Sequence, residues 1–158
     1  MADPKEAAAY IAGLVERARA AQKKIEFATQ EQVDDMCVRV AWAGCNPEFA
    51  KKLGEFAAEE SGMGFGPDKI AKIYGKVKGT LRDMRGELSV GLVEVDDEKG
   101  LLKYAKPVGV VGALVPCTNP EATPFVKALG AIKTRNAIIL APHPRTKGTN
   151  KMAVDAIR

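Results

Sequence analysis

The feature that most constrains this chain is an apolar run from Val108 to Val115 without polar alternation. A strand with one solvent-facing side alternates, so this run predicts a strand covered on both faces, as in a parallel sheet. A second strand is predicted from Asn136 to Leu140, and the segment 123–133 between them favours a helix. Strand, helix and strand in this order predict a right-handed βαβ unit, the building block of a nucleotide-binding α/β sheet.

The sequence also predicts where the two helices of residues 107–158 begin. Thr123 is the predicted N-cap and Pro124 the first helical residue of the helix between the strands,. A last helix is predicted from Thr146 onward.

The first 85 residues favour helices. Thr29 and Gln32 predict a capping box, Pro47 predicts the start of the next helix, and a further helix is predicted from Asp68 to about Met84,. The clearest apolar stripe at helical spacing comprises Val33, Met36, Cys37, Val40 and Ala41,.

Between these parts the sequence predicts a β-hairpin, with strands over Glu87–Val95 and Leu101–Ala105,. The predicted organisation is therefore α/β, with a helical region at 1–85, a hairpin at 86–106 and the start of a dinucleotide-binding domain at 107–158.

Composition narrows the class of protein. Apolar residues make up 46% of the chain and charged residues 28%, which is typical of a soluble globular protein,. A net charge of +4, spread along the chain, does not indicate nucleic-acid binding,. No stretch approaches the roughly 20 apolar residues of a membrane helix, and Met1–Glu6 shows no signal peptide,.

The thiols and imidazole exclude some chemistry. Cys37, Cys45 and Cys117 show no CxxC spacing, and His143 is the single histidine. This pattern argues against a disulfide framework and a zinc site, so no metal is expected. We expect a reducing, cytoplasmic compartment instead.

Ligands of parallel α/β sheets bind beyond the carboxyl ends of the strands. Here those ends are the polar, proline-containing loops Pro116–Asn119 and Ala141–Arg145. The sequence therefore predicts a ligand site where these two loops meet.

Two long motifs, residues 109–120 and 133–145, resemble consecutive segments of CoA-acylating aldehyde dehydrogenases. Residues 59–64, with Asp68 and Lys69, also resemble the N-terminal region of that family. The resemblance runs from roughly residue 30 to the end. It implies N-terminal helices and a hairpin that lead into the first βαβ unit of a Rossmann-like NAD(P)-binding domain, which would be incomplete here.

The resemblance also implies an activity. Members of the family oxidise a small aldehyde with NAD or NADP through a cysteine thioester and transfer the acyl group to coenzyme A. Their nucleophilic cysteine comes from a later domain, which we expect this chain to lack. The chain alone is therefore expected to be catalytically inactive and marginally stable, with an unpaired strand edge and a half-covered apolar face. The full-length enzyme is expected to be a homo-oligomer without nucleic-acid or membrane partners.

By the motif, Asn119 corresponds to the amide that donates to the oxyanion of the thiohemiacetal,. The alternative is that Asn119 caps a helix or turn, as Asn-Pro often does. Cys117 stands where relatives often have Thr or Trp, and we expect it to be a buried apolar residue of the cofactor groove rather than a nucleophile,.

The resemblance places the cofactor against both loops. His143 and Arg145 would border its adenosine half, unless His143 is merely a loop residue with satisfied hydrogen bonds. Ala141 and Pro144 stand where non-acylating relatives carry Lys and Glu, which leaves NAD or NADP open. The predicted cofactor-binding residues are Val115, Pro116, Cys117, Thr118, Ala141, Pro142, His143 and Arg145.

Residues 122–158 carry seven basic side chains and one acidic one. They either attract the phosphates of NAD(P) and CoA or lie on solvated helix faces. For Lys127, Lys147, Lys151 and Arg158 the solvated face is the favoured interpretation.

Three functional hypotheses follow. The first is an acylating dehydrogenase for a small aldehyde, with a weak preference for sulfoacetaldehyde over acetaldehyde, propionaldehyde or succinate semialdehyde. The second is a standalone nucleotide-binding or scaffold module. The third is a related reductase acting on an acyl phosphate, against which the loop Pro142–Arg145 argues.

Overall fold

The computed structural model describes residues 3–158, so Met1 and Ala2, on which part of the signal-peptide prediction rests, lie outside the described residues. The helical part comprises α1 (Pro4–Ile25), α2 (Gln30–Cys45), α3 (Pro47–Ser61) and α4 (Gly66–Asp83). The rest comprises β1 (Gly91–Asp96), β2 (Leu101–Ala105), β3 (Val110–Val115), α5 (Thr123–Lys133), β4 (Ala137–Pro142), a 3₁₀ turn (Pro144–Thr146) and α6 (Lys147–Ile157).

The predicted helix starts are confirmed for α2 and α3. Thr29 Oγ1 accepts the Gln32 N–H at 3.2 Å, and Gln32 Oε1 accepts the Thr29 N–H at 2.9 Å. Pro47 begins α3, and Asn46 Oδ1 accepts the N–H of Phe49 at 3.1 Å. Both caps satisfy N–H groups that a helix terminus leaves without partners.

The prediction for α5 is wrong by one residue. Thr123 is the first helical residue, and Ala122 precedes it without a side-chain cap. The reason is that the Thr123 N–H already donates to the carbonyl of Asn119 at 3.2 Å, so the turn before the helix occupies this donor.

The core lies among α2, α3, α4, α5 and α6. It confirms the apolar stripe of α2, since Val33, Cys37 and Val40 are buried. Burial raises the pKa of Cys37 to about 11, and it raises the pKa of Cys45 as well. The largest core side chains are Leu53, Ile73, Val77, Phe125 and Leu129.

Strands β3 and β4 pair in parallel, from Val110 opposite Ala137 to Val115 opposite Pro142, with α5 between them in the chain. The predicted βαβ unit is thus confirmed. The prediction of burial on both faces is wrong for β3, because Leu114 is 84% exposed while its neighbour Val115 is 2% exposed. Within residues 3–158 one face of this strand is uncovered, in agreement with the expected half-covered apolar face.

The hairpin is shorter than predicted at its start. Strand β1 begins at Gly91 rather than at Glu87. Ser89 is drawn to the helices instead, because its N–H donates to Gln30 Oε1 at 2.8 Å and its hydroxyl to the carbonyl of Lys133 at 2.6 Å. Strand β2 matches its prediction. The division into domains at 1–85, 86–106 and 107–158 stays a prediction.

Over residues 3–158, no helix combines the length and the apolar content needed to cross a bilayer. In the same residues, no group of three or more His, Cys, Asp or Glu side chains is placed to hold a metal ion.

Candidate functional site

The two predicted ligand loops lie side by side at the carboxyl edge of the β3–β4 pair. Val115 is opposite Pro142, and the His143 N–H donates to the carbonyl of Val115 at 2.9 Å. Ala141 and Pro142 belong to β4 rather than to the loop that was predicted to begin at Ala141. The expected meeting of the strand ends is confirmed, and Pro116 and Thr118 are exposed there.

Asn119 lies at this edge with its side chain half-buried. Its Oδ1 accepts a hydrogen bond of 2.8 Å from Lys72 Nζ, and its Nδ2 is 3.4 Å from Thr118 Oγ1. The N-terminus of α5 has no side-chain cap, so the Asn119 side chain does not serve as one there. The amide N–H groups therefore remain available to a ligand, apart from the long contact to Thr118.

A buried carboxylate lies two residues further on. The side chain of Glu121 is fully buried, and its Oε2 is 3.3 Å from Nζ of Lys69, which is itself 3% exposed. Lys69 Nζ also donates to the carbonyl of Thr118 at 3.3 Å, and Lys72 Nζ is 3.8 Å from Glu121 Oε1. One carboxylate and two lysines thus hold the loop that carries Asn119 against α4.

The roles of Lys69, Lys72 and Glu121 were not predicted from the sequence. Two lysines three residues apart share a helix face, and a buried carboxylate needs a cation. The spacing of the two lysines is visible in the sequence, but the burial of Glu121 is not, and nothing local connects a lysine of α4 with a glutamate 52 positions later.

Cys117 departs from its prediction. Its side chain is half-buried rather than buried, and its Sγ lies 3.8 Å from Sδ of Met63 in the glycine-rich connection after α3. The reason is its position in an open loop between β3 and α5, outside the apolar core.

The second loop is held by local bonds. Nδ1 of His143 accepts the N–H of Arg145 at 3.2 Å, so the imidazole caps the 3₁₀ turn. The guanidinium of Arg145 donates to the carbonyl of Ser61 at the end of α3. Gly62 follows there with φ of 63°, the left-handed conformation that ends many helices,. Arg145 thus fastens the loop to α3.

The N-terminus of α6 is occupied by a carboxylate of the protein. Glu60 Oε1 accepts the N–H of Gly148 at 2.7 Å, and Oε2 accepts the N–H and hydroxyl of Thr149 at 2.8 and 2.6 Å. Partial burial alone would raise the pKa of Glu60, but these hydrogen bonds from Thr149 and Gly148 outweigh it and lower the pKa. Helix N-termini attract ligand anions, and Glu60 takes that position here.

The basic residues of the last third have separate roles. Lys133 is buried and lies 2.5 Å from Asp34. Arg135 has φ of 59° and donates to the carbonyls of Glu26 and Ala105 at 2.8 and 3.0 Å. The residues for which a solvated face was favoured are exposed, namely Lys127, Lys147, Lys151 and Arg158.

Known dehydrogenases are similar to this chain in sequence. No protein-family profile matches the chain. It is 50% identical over 148 residues to a sulfoacetaldehyde dehydrogenase of Acholeplasma sp, covering 94% of this chain and 31% of the relative. It is 44% identical over 144 residues to an acylating sulfoacetaldehyde dehydrogenase of Bilophila wadsworthia, covering 91% of this chain and 31% of the relative.

Solved structures agree with these relatives. An acetylating aldehyde dehydrogenase from Geobacillus thermoglucosidasius matches with a TM-score of 0.88 and 34% identity over 94% of this chain and 32% of that one. A Rhodopseudomonas palustris propionaldehyde dehydrogenase with bound propionyl-CoA matches with a TM-score of 0.73 and 27% identity over 90% and 31% of the two chains. An engineered glycolyl-CoA reductase with bound NADP+ matches with a TM-score of 0.67 and 26% identity, over 90% of this chain and 32% of that one.

The two curated relatives and the Geobacillus structure share one family, and each match includes nearly all of this chain. The chain spans about a third of the length of the curated relatives it matches. Over nearly its whole length the chain is thus a homologue of the acylating aldehyde dehydrogenases, the family that the motifs around Asn119 and His143 predicted.

Proposed function

We propose that the protein carrying this chain oxidises an aldehyde and transfers the resulting acyl group to coenzyme A. In this reaction a cysteine thiolate adds to the aldehyde carbon to form a thiohemiacetal. Loss of hydride from that carbon forms a thioester, which the thiol of CoA cleaves to release acyl-CoA and the cysteine. When bound, the nicotinamide of NAD(P)+ supplies the hydride acceptor.

The observation that carries the proposal for this chain is the orientation of Asn119. Its Oδ1 faces Lys72, which leaves Nδ2 as the group that can donate to an oxyanion. An uncharged amide suits this task because it donates without titrating. We therefore assign Asn119 the role of hydrogen-bond donor to the oxyanion of the thiohemiacetal. One such donor typically stabilises the transition state by about 2.7–4 kcal/mol.

We place NAD(P) against Val115–Thr118 and Ala141–Arg145. Exposed Pro116, Thr118 and Ala141 leave this edge of the sheet open, so the residues present fit a dinucleotide,. Arg145 uses one nitrogen for the Ser61 carbonyl, and a guanidinium has five N–H groups, so others remain for a phosphate,. Because Glu60 fills the N-terminus of α6, the cofactor phosphates bind elsewhere on this edge.

We propose sulfoacetaldehyde as the substrate, since both curated relatives reported above carry that name. We also infer a homo-oligomer, because the hairpin exposes Leu92, Leu101 and Tyr104,. A reducing, cytoplasmic setting is part of the proposal, since Cys37, Cys45 and Cys117 are free thiols,.

The test uses the polypeptide encoded by the longest reading frame that includes this chain. Reduction of NAD+ or NADP+ is followed by absorbance with CoA and sulfoacetaldehyde, and then with acetaldehyde or succinate semialdehyde. We expect CoA-dependent reduction that is fastest with sulfoacetaldehyde, and a loss of about 10²–10³ in kcat for Asn119→Ala. The near-isosteric variant Asn119→Asp, whose carboxylate cannot donate, should lose at least as much. Full activity of both variants would contradict the role of Asn119.

A nucleotide-binding module is the second candidate, because both strands and both loops of the site form within this chain. Alkylation tests it in the 158-residue chain. Cys37 and Cys45 are buried and have raised pKa values, so iodoacetamide should label Cys117 first,. Protection of Cys117 by NADH or NADPH would favour this module, and an unchanged labelling rate would argue against it.

A further inference from the structure

We infer that Lys72 is a positioning residue for Asn119, and that Lys69 and Glu121 fix the loop on which Asn119 lies. The inference rests on the proposed oxyanion role of Asn119 and names side chains outside the two motifs that predicted the site. Lys72 and Lys69 belong to α4, which precedes the hairpin and the βαβ unit.

Lys72 Nζ contacts the side-chain amide of Asn119 at 2.8 Å. An ammonium group has donors and no acceptor, so the amide atom it meets must be the oxygen. A bond of this kind excludes the flipped amide, in which Nδ2 would face the ammonium. Lys72 thereby fixes which side of Asn119 presents N–H groups.

Lys72 also acts on Asn119 through its positive charge. A cation at the carbonyl oxygen polarises the amide, and polarised groups in a chain of hydrogen bonds strengthen one another. The Asn119 N–H groups therefore become better donors while the amide itself remains neutral. Both effects favour an oxyanion over the uncharged carbonyl of an aldehyde.

Glu121 and Lys69 anchor the contact between Lys72 and Asn119. Lys72 Nζ lies 3.8 Å from Glu121 Oε1, a buried oxygen without a hydrogen-bond partner among the described residues. Lys69 binds the other oxygen of Glu121 and the Thr118 carbonyl, each at 3.3 Å. One turn of α4 thus holds the loop on both sides of Asn119, because residues three apart share a helix face.

Lys72 is also suited to substitution. Its side chain is 36% exposed, and Glu121 keeps Lys69 as a partner when Lys72 is removed. A Lys72→Met variant is therefore expected to fold. The matched control is Lys76→Met, which removes an exposed lysine from the same helix.

The experiment is a double-mutant cycle in the active full-length polypeptide. We expect Lys72→Met to lower kcat about tenfold, less than loss of the oxyanion donor itself, with little change in the KM for NAD(P)+. Lys72→Arg, which also only donates, should restore kcat to within about threefold of wild type. In an Asn119→Ala background Lys72→Met should have no further effect, because its action runs through the amide.

Two results would overturn the inference. One is a Lys72→Met variant as active as Lys76→Met, and the other is an equal loss of kcat with and without Asn119. A polypeptide without any CoA-dependent reaction would instead refute the proposed function. The positioning can then still be decided by the side-chain amide resonances of Asn119 in the ¹⁵N-labelled 158-residue chain. These should shift in Lys72→Met and stay in place in Lys76→Met, and an equal response in both variants would refute the positioning.

Discussion

The helical layer and the strands of this chain bury their apolar side chains to very different extents. Leu53, Ile73 and Leu129 of the helices are completely buried, whereas Leu114 of β3 is 84% exposed. The hairpin also exposes apolar residues, among them Leu92, Val95, Leu101, Leu102 and Tyr104. Helices α2 to α6 therefore form the core, while β3 leaves one face uncovered and the hairpin exposes apolar side chains among the described residues.

This difference shows where the candidate site obtains its rigidity. Asn119 follows a poorly covered strand, yet its loop is held by Lys69 and Lys72 of the well-packed α4. The second loop is likewise fastened to the end of α3 through Arg145. The helical layer holds the two loops of the candidate site in place, and these loops follow the carboxyl ends of β3 and β4.

The strongest test of this dependence is Glu121→Ala. The variant leaves Lys69 buried without its partner, so we expect the free energy of unfolding to fall by about 3–5 kcal/mol. Urea denaturation followed by circular dichroism measures it. The control Glu55→Ala removes an exposed carboxylate of α3 and should change stability by about 0.5 kcal/mol or less,. The double variant Lys69→Met/Glu121→Leu should recover most of the loss, since an apolar pair can replace a buried ion pair. A small loss in Glu121→Ala would mean that the ion pair does not anchor the loop.

A pair of leucine truncations compares the two regions directly. Leu129→Ala should lower the free energy of unfolding by about 2–5 kcal/mol, because it opens a cavity in the helical core. Leu114→Ala should change it by about 0.5 kcal/mol or less, because that side chain is already in solvent,. Thermal and urea unfolding of both variants check this. Equal losses would show that β3 is covered in solution, for instance by another copy of the chain.

Two glycines sharpen the comparison within the helices. A Cβ on Gly148 would lie 2.8 Å from Glu60 Oε1 and 3.0 Å from the Phe56 ring. Gly148→Ala should therefore cost about 1–3 kcal/mol. Gly75 of α4 has open space around it, so Gly75→Ala should gain about 0.5–1 kcal/mol from helix propensity,. Measured melting temperatures should thus move in opposite directions, and a shift of the same sign would refute the close packing of α3 on α6.

The smallest expected effect concerns Glu60. Because its pKa lies below its ordinary value of 4.5 when folded, its contribution is present above that value and is lost as pH falls through the folded pKa,. We expect Glu60→Gln to cost about 1 kcal/mol at neutral pH, as other helix caps do. Its denaturation midpoint should also change less than that of wild type on acidification. Parallel pH profiles of the two proteins would contradict this assignment.

The sequence predicted what local patterns determine. The capping box of Thr29 and Gln32 and the start of α3 at Pro47 are encoded within a few residues, and both are confirmed. The parallel pairing of β3 with β4 was predicted from two apolar runs and the helix between them, whereas the register was not. The family resemblance directed attention to Asn119, whose role stays a proposal.

Contacts between distant segments were not predictable in the same way. The partners Lys72 and Asn119 are 47 positions apart, and no periodicity relates them. The burial of β3 was overestimated because an apolar sequence indicates that a face can be covered, without specifying what covers it. The half-exposed position of Cys117 has the same origin, since loop exposure depends on neighbouring segments such as the one that carries Met63.

The contacts of Arg135 have a consequence for the order of folding. Its guanidinium joins the end of α1, 109 positions earlier, to the end of β2, 30 positions earlier. Closing a chain loop of the first length costs more entropy than closing one of the second, although the cost grows only slowly with length. Helices stabilised by their own caps can form before either closure, so the docking of α1 should be a late step. In stopped-flow measurements of folding and unfolding, Arg135→Ala should raise the unfolding rate by a larger factor than it lowers the folding rate.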